Sequence, residues 1–384
     1  MKGYLEISVG DDGGTSYIRE SRLEDLKDVS GIVFDCDGVL IDIAESYGMA
    51  VAETASYIVE AFTGVKLPGN LIDQDVIFAF KRTGGFNNDW DLTYALVMYI
   101  LSKVPEDRLE ELNEVAGAAR RYEDPFERFT FMKNNIQGGT SIPLYGLGQA
   151  LKKYAESLDE TGVIAVSGNL LESVGVNVNE VLGYSGEVRR SMIPILFEQL
   201  FCGPALFEET FNMKPKFKTS GNGLIENGRP IITFGTLEML TSFLDGPKFG
   251  IASGSMKNPA RRVLGRLLDD LDPDVQIWME DIDRAASVKD RGGLQKPNPY
   301  SLRAASRLLE PFSWVLYVGD TMADLVMARR ANEEDSRFLF AGVYQNSIHP
   351  EAIMADFITE GADIITPSVN DLPHILEFIR GELA

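Results

Sequence analysis

Two aspartates separated by one residue follow a short apolar stretch near the beginning of the chain. The stretch GIVFD ends at Asp35, and Asp37 follows in the sequence FDCDGVLID. Two carboxylates this close repel one another unless something offsets their charge, and a divalent cation is the simplest compensation. One carboxylate could then bind the metal and attack phosphorus, while the other transfers a proton. A loop with two solvated aspartates would show the same spacing, so the pair alone does not decide the chemistry.

Three later segments also place polar side chains after apolar stretches or at a turn. In GIASGS, the hydroxyl of Ser253 and the backbone at Gly254 could bind a phosphoryl oxygen, or the serine could simply cap a helix. In LQKPNP, the proline disfavours helical conformation at Lys296, a cation that could neutralise phosphate or lie on the surface. In WVLYVGDTMADL, Asp320 and Asp324 offer the hard oxygen ligands that Mg²⁺ prefers.

The elements that must position these residues alternate between short strands and helices after residue 245. KFGIAS, SWVLYVGD, FLFAGVY and ADIIT read as buried strands, and amphipathic stretches separate them. This alternation predicts an α/β fold, a core with a parallel sheet flanked by helices and right-handed crossovers. Ligands in such sheets bind outside the carboxyl ends of the strands, where the polar residues fall.

The length of the chain predicts two domains, one of them interrupted in sequence. With 384 residues the chain exceeds one typical core. We assign residues 1–43 and 245–384 to the α/β core, with an N-terminal hairpin extension over 1–28. Residues 44–244 place apolar side chains at helical spacing and are assigned to a large, mostly α-helical insertion.

Composition narrows the classes of partner and compartment. The formal net charge of −22 repels phosphate backbones, so nucleic acid is not expected as a partner. The longest apolar stretches are too short to span a bilayer, and no membrane association is expected. Two cysteines form no disulfide framework, and the chain begins without the apolar run of a signal peptide, which together indicate the cytoplasm. The sequence does not indicate an oligomeric state.

The four segments, taken in order, resemble the four motifs of the haloacid-dehalogenase (HAD) superfamily. FDCDGVLID is similar to the first motif, GIASGS to the second, QKPNP to the third and VGDTMADL to the fourth. The resemblance implies a Rossmann-like core and an aspartyl-phosphate intermediate. It also implies that Asp35 is the nucleophile and a Mg²⁺ ligand, and that Asp37 is the general acid/base and binds the metal through its backbone carbonyl. Asp320 would be the third metal ligand.

The same resemblance assigns the remaining motif residues. Ser253, Gly254 and Lys296 would bind phosphate, and Asp324 would be a supporting carboxylate near the metal or the lysine. The second aspartate of the first motif is typical of phosphatases and phosphomutases and is lacking in dehalogenases of this kind. The implied function is therefore Mg²⁺-dependent hydrolysis of a small phosphomonoester, and the expected partner is a small phosphorylated metabolite.

Other functions are compatible with the sequence. A phosphomutase acting on a sugar phosphate would use the same core residues, and a catalytically silent binding protein could share the fold. The insertion lies between the first and second motifs, where this superfamily places a helical cap that closes over small substrates. We expect a substrate-binding loop within it at FKRTGGFNNDWDLT, with Lys81, Arg82, Asn87 and Asn88 as candidates. A glycine turn followed by an Asx helix cap is the alternative.

Overall fold

The structure is a computed structural model that describes residues 2–8, 14–86, 88–136, 140–184, 188–217, 221–289 and 293–381. The chain divides into two compact units. The first comprises Met1–Ala44 and Asn227–Ala384, and the second comprises Glu45–Glu226. The sequence placed the return to the core at residue 245, whereas the structure places it at residue 227, so the segment 227–244 lies in the first unit.

A mixed, mostly parallel sheet forms the centre of the first unit. In the described residues it has eight strands, in the order β1-β2-β10-β9-β8-β3-β6-β7. The strands β10, β9, β8, β3, β6 and β7 are mutually parallel, and β1 and β2 add an antiparallel hairpin to β10. A separate pair, β4 and β5, is antiparallel. The strands are β1 (Tyr4–Ser8), β2 (Thr15–Arg19), β3 (Val29–Phe34), β4 (Ile41–Asp42), β5 (Arg229–Pro230), β6 (Phe249–Ala252), β7 (Gln276–Ile277), β8 (Trp314–Gly319), β9 (Phe338–Val343) and β10 (Ile364–Thr366).

Helices cover the sheet of the first unit. They are α1 (Leu23–Lys27), α11 (Phe234–Phe243), α12 (Lys257–Leu264), α13 (Met279–Lys289), α14 (Tyr300–Leu308), α15 (Met322–Glu334), α16 (Pro350–Thr359) and α17 (Leu372–Arg380). Strands β3, β6 and β9 are buried throughout almost their whole length, as expected for parallel strands covered on both faces. Leu302, Leu325 and Phe357 from three helices join the strand residues Val33 and Phe340 in one apolar cluster. The predicted α/β fold class is confirmed.

The second unit is helical in its described residues. Its helices are α2 (Ala44–Thr63), α3 (Gln74–Lys81), α4 (Asp89–Leu101), α5 (Glu106–Ala119), α6 (Pro125–Asn135), α7 (Leu147–Ala155), α8 (Val163–Val174), α9 (Val176–Leu182) and α10 (Met192–Phe211). Helix α4 is buried on nearly every side and contacts α8 and α10, which makes it the central helix of this unit. None of the helices in the described ranges combines the length and the apolar character that crossing a membrane requires.

A half-buried aspartate in the first turn of α4 predicts a pH-dependent stability. Burial, reinforced by the Asp89 carboxylate, raises the pKa of Asp91 to about 7. Because the pKa in the folded state lies above the unfolded value of about 3.9, stability falls as pH rises from about 4 to about 7. We expect Asp91→Asn to increase the free energy of unfolding by about 1 to 3 kcal/mol at pH 8, allowing for partial solvent screening.

The increase in the free energy of unfolding caused by Asp91→Asn should be nearly absent at pH 4.5, where Asp91 is protonated in the folded protein. Thermal unfolding at both pH values measures the difference. The matched control is Asp107→Asn, which changes an exposed aspartate in the first turn of α5. An equal shift in melting temperature for Asp91→Asn at pH 4.5 and pH 8 would contradict the assignment.

Candidate active site

Three adjacent parallel strands bring three of the four sequence segments to the same edge of the sheet. Strand β3 lies between β8 and β6, with Phe34 in register with Val318 and Ile251. The residues that follow the three strands are Asp35, Asp320 and Ser253, and the Asp35 N–H extends the ladder by donating to Val318 O at 2.8 Å. The expected convergence of the first, second and fourth segments therefore occurs.

The third segment brings its lysine between two of the aspartates. Lys296 Nζ lies 2.7 Å from Asp35 Oδ1 and 2.7 Å from Asp324 Oδ1. The side chains of Lys296 and Asp324 are 3% and 0% exposed, so both charges are shielded from solvent. Burial tends to lower the pKa of Lys296, but the carboxylates of Asp324 and Asp35 outweigh it and raise the pKa above its ordinary value. Lys296 is therefore a buried ammonium ion rather than a surface lysine.

Asp324, predicted as a supporting carboxylate near the metal or the lysine, contacts Lys296 and three hydrogen-bond donors. Its Oδ1 accepts a hydrogen bond from Tyr317 Oη at 2.8 Å in addition to facing Lys296. Its Oδ2 accepts from Thr321 Oγ1 at 2.6 Å and Thr321 N at 3.1 Å in the capping box that begins α15. Burial opposes ionisation of Asp324, but Lys296 and the hydroxyl donors lower its pKa. These contacts fix Asp324 as the ionised partner that orients Lys296.

Asp35 is in the opposite electrostatic situation. Burial raises its pKa to about 7, and the carboxylates of Asp324 and Asp37 add to the rise, although Lys296 opposes it. Carboxylate oxygens of Asp35, Asp320 and Asp324 all lie within 4.8 Å of one another. The cluster therefore concentrates negative charge that a cation would offset, and its oxygen donors are those of a hard-metal site. This acidic cluster could hold an ion.

The first segment packs directly against Asp320. Gly38 has φ +74°, and a Cβ atom built there would overlap the carboxylate group of Asp320. The turn is closed by hydrogen bonds from Gly38 N to Ile41 O at 2.8 Å and from Leu40 N to Cys36 O at 2.7 Å. A glycine is required at this position both for its backbone conformation and for the space that Asp320 occupies.

Gly38→Ala is therefore expected to destabilise the protein by about 2 to 4 kcal/mol, since left-handed strain of about 1 to 2 kcal/mol adds to the displacement of a side chain. The control is Gly146→Ala, because Gly146 has the same φ of +74° but no atom within 4 Å of an added Cβ. Chemical denaturation of both variants measures the difference. Equal costs would show that Asp320 does not press against the turn.

The second segment contributes two serines rather than one. The Ser253 side chain is buried, and its Oγ accepts from Ser255 N at 3.2 Å, so its own O–H can donate to another group. Open space borders Gly254, where an added Cβ would meet no atom within 4 Å. Ser255 Oγ donates a hydrogen bond to Asp37 Oδ2. Ser255 is the second serine of GIASGS, and neither it nor Tyr317 was among the predicted site residues.

The proposed loop of the insertion has structural contacts within its own unit. Asn88 is the N-cap of α4 and accepts from Trp90 N at 2.8 Å, as in the Asx-cap alternative. Lys81 Nζ lies 2.9 Å from Asp89 Oδ1, and Arg82 follows the last residue of α3. Asn87 lies outside the described residues. The substrate-loop prediction for these four residues stays a prediction.

Comparison with known proteins supports the fold but does not identify a reaction. No protein-family model and no curated protein sequence matches the chain. An X-ray structure of a Northeast Structural Genomics Consortium target is 18% identical, with a TM-score of 0.61 over 92% of this chain and 100% of that one. A phosphatase from Thermococcus thioreducens is 20% identical, with a TM-score of 0.49 over 91% of this chain and 99% of that one. A hydrolase from Pseudomonas syringae is 13% identical, with a TM-score of 0.39 over 91% of this chain and 99% of that one.

Similarity at these sequence identities shows only a shared fold. Of the three structures, the first, with a TM-score of 0.61, supports that conclusion. The strand order, with β3 between β8 and β6, places three of the four motif-like segments at one edge of the sheet, where Lys296 of the remaining segment contacts Asp35. The helical unit Glu45–Glu226 separates the first segment from the second. The chain thus has a Rossmann-like α/β fold, and the helical unit lies in sequence between its first and second motif-like segments.

Proposed function

We propose that the protein is a Mg²⁺-dependent phosphatase of the haloacid-dehalogenase superfamily, which hydrolyses a small phosphomonoester through an aspartyl-phosphate on Asp35. The observation that carries the proposal is the position of Lys296, 2.7 Å from both Asp35 and Asp324. A buried ammonium ion beside a buried carboxylate at the end of a central strand is a costly arrangement for stability alone. It is suited to drawing an anionic phosphoryl group towards a nucleophile.

The proposed reaction has two steps that share the same residues. Asp35 attacks phosphorus through a carboxylate oxygen, the bond from phosphorus to the leaving oxygen breaks, and Asp37 gives that oxygen a proton. Asp37 then removes a proton from a water molecule, whose oxygen attacks phosphorus and releases phosphate and the Asp35 carboxylate. Lys296 and the Ser253 hydroxyl bind the phosphoryl oxygens and reduce repulsion between substrate and nucleophile.

The donor set fits a magnesium ion. Asp35, Asp320 and the backbone carbonyl of Asp37 would hold it, while Asp324 is engaged by Lys296, Tyr317 and Thr321. When bound, the ion supplies positive charge that favours the ionised form of Asp35 and offsets the charge of the phosphoryl group. Mg²⁺ commonly takes one or two carboxylates and retains water, which matches this small number of protein ligands.

The first test measures release of inorganic phosphate from p-nitrophenyl phosphate with Mg²⁺ and with EDTA. We expect turnover with Mg²⁺ and loss of turnover with EDTA. A screen of sugar phosphates, phosphorylated acids and nucleoside monophosphates then identifies the substrate class. Absence of phosphate release from the whole panel in the presence of Mg²⁺ would overturn the proposal, and isomer exchange without release would indicate phosphoryl transfer back to a bound product.

The metal prediction has a readout that does not depend on activity. Because an ion that binds only the folded protein stabilises it, millimolar Mg²⁺ is expected to raise the melting temperature by several degrees. Asp320→Asn should abolish this rise, whereas Asp42→Asn, which changes an exposed aspartate on β4, should retain it. A Mg²⁺-induced shift of unchanged size in Asp320→Asn would place the ion elsewhere.

A further inference from the structure

A hydrogen bond links the second motif to the acid/base residue of the first. Ser255 Oγ donates to Asp37 Oδ2, and Ser255 is 8% exposed. The residues that the superfamily resemblance assigns in this segment are Ser253 and Gly254, so Ser255 has no role in the proposed reaction as described above. Its hydroxyl nevertheless contacts the group that must transfer protons.

The backbone on both sides of this hydrogen bond is fixed. The Ser255 N–H donates to Ser253 Oγ at 3.2 Å, and the Ser255 carbonyl accepts from Met279 N at 3.1 Å. Across the bond, Asp37 lies in a turn that two hydrogen bonds from Leu40 and Ile41 to Cys36 O close at 2.7 and 3.0 Å. A hydroxyl on one constrained turn therefore restrains a carboxyl group on another.

We propose that Ser255 is a positioning residue for proton transfer by Asp37, an inference that rests on the proposed phosphatase function. A neutral carboxyl group accepts hydrogen bonds best at its carbonyl oxygen. A donor on Oδ2 therefore assigns the transferable proton to Oδ1. Oδ1 gives that proton to the leaving oxygen as its bond to phosphorus breaks, and Oδ1 later takes a proton from the attacking water. Ser255 itself gains and loses no proton.

This role predicts an effect that depends on the leaving group. p-Nitrophenol departs as an anion at neutral pH and needs little help from an acid, whereas phenol, with a pKa of about 10 like that of tyrosine, needs a proton. We expect Ser255→Ala to lower kcat/KM for phenyl phosphate about tenfold more than for p-nitrophenyl phosphate. Ser255→Thr keeps the hydroxyl and should restore most of the wild-type ratio between the two esters.

The control is Ser16→Ala, which removes another buried serine hydroxyl, hydrogen-bonded to Thr366 on the far part of the sheet. It should alter stability without changing the ratio between the two esters. Equal losses for both esters in folded Ser255→Ala, or no loss for either, would overturn the positioning role while leaving the phosphatase proposal standing. If the wild-type protein releases phosphate from no compound of the panel, these two esters included, the phosphatase proposal fails and the role of Ser255 fails with it.

Discussion

Lys296→Met is expected to lower the free energy of unfolding by about 3 to 5 kcal/mol, since removing one partner of a buried ion pair leaves the other charge uncompensated. The Lys296 side chain is 3% exposed and faces Asp35 and Asp324, so the variant leaves two buried carboxylates against one another. Denaturation in urea at pH 7 measures the cost. Turnover in any fraction that folds should fall about 100-fold or more, because a cation that contacts the phosphoryl group is lost.

An exposed ion pair provides the matched control. Lys152 Nζ lies 2.9 Å from Asp75 Oδ2, with side chains 26% and 53% exposed. Lys152→Met should cost less than about 1 kcal/mol, because solvent screens that pair. Adding Asp324→Asn to Lys296→Met should recover part of the lost stability, since it removes one of the two stranded charges. A Lys296→Met variant no less stable than Lys152→Met would mean that Lys296 is not buried between carboxylates.

Asp35→Asn is expected to reduce phosphate release by at least about 1,000-fold, because an amide cannot replace the attacking carboxylate. Its fold should persist, since the amide has nearly the same shape and removes one of the repelling charges. Rapid quenching of a labelled substrate should trap phosphoprotein in the wild type and none in the variant. Asp42→Asn, which changes an exposed aspartate on β4, should retain turnover. Full activity in Asp35→Asn, or trapped phosphate on another residue, would contradict the assignment of the nucleophile.

Local patterns were sufficient to predict the core of the fold. Each parallel strand that carries a motif is short, apolar and followed at once by a polar residue, so its carboxyl end could be read directly from the chain. The N-terminal hairpin was predicted from alternation on either side of a Gly/Asp turn, and strands Tyr4–Ser8 and Thr15–Arg19 pair as expected. That the hairpin extends the main sheet by pairing with β10 depends on tertiary contacts that local sequence does not encode.

The boundary of the insertion shows where periodicity stops being informative. The segment that forms α11 (Phe234–Phe243) has helical spacing, which the sequence analysis grouped with the preceding helices. The structure places this helix in the first unit, where it packs against α17. Spacing predicts which face of a helix is buried, but it does not predict the element that covers that face.

Ser255 and Tyr317, which were not among the predicted site residues, donate hydrogen bonds to Asp37 and Asp324. Tyr317 lies in the apolar strand WVLYVG and reads as core, yet its hydroxyl donates to Asp324. The two residues face the same region because Asp324 packs against Gly319, two positions from Tyr317 on the same face of the strand. Motif spacing draws attention to the residues at the strand ends, whereas the hydrogen-bonding partners of those residues depend on strand register and helix placement.

The short ladder between β4 and β5 bears on how the chain accommodates so large an insertion. Ile41 pairs with Pro230 and Asp42 with Arg229, so the outgoing and returning segments run side by side within the first unit. The entropic cost of joining two neighbouring points grows only logarithmically with the length of the chain between them. Insertions of very different lengths could therefore join these two neighbouring segments with little change in the stability of the first unit.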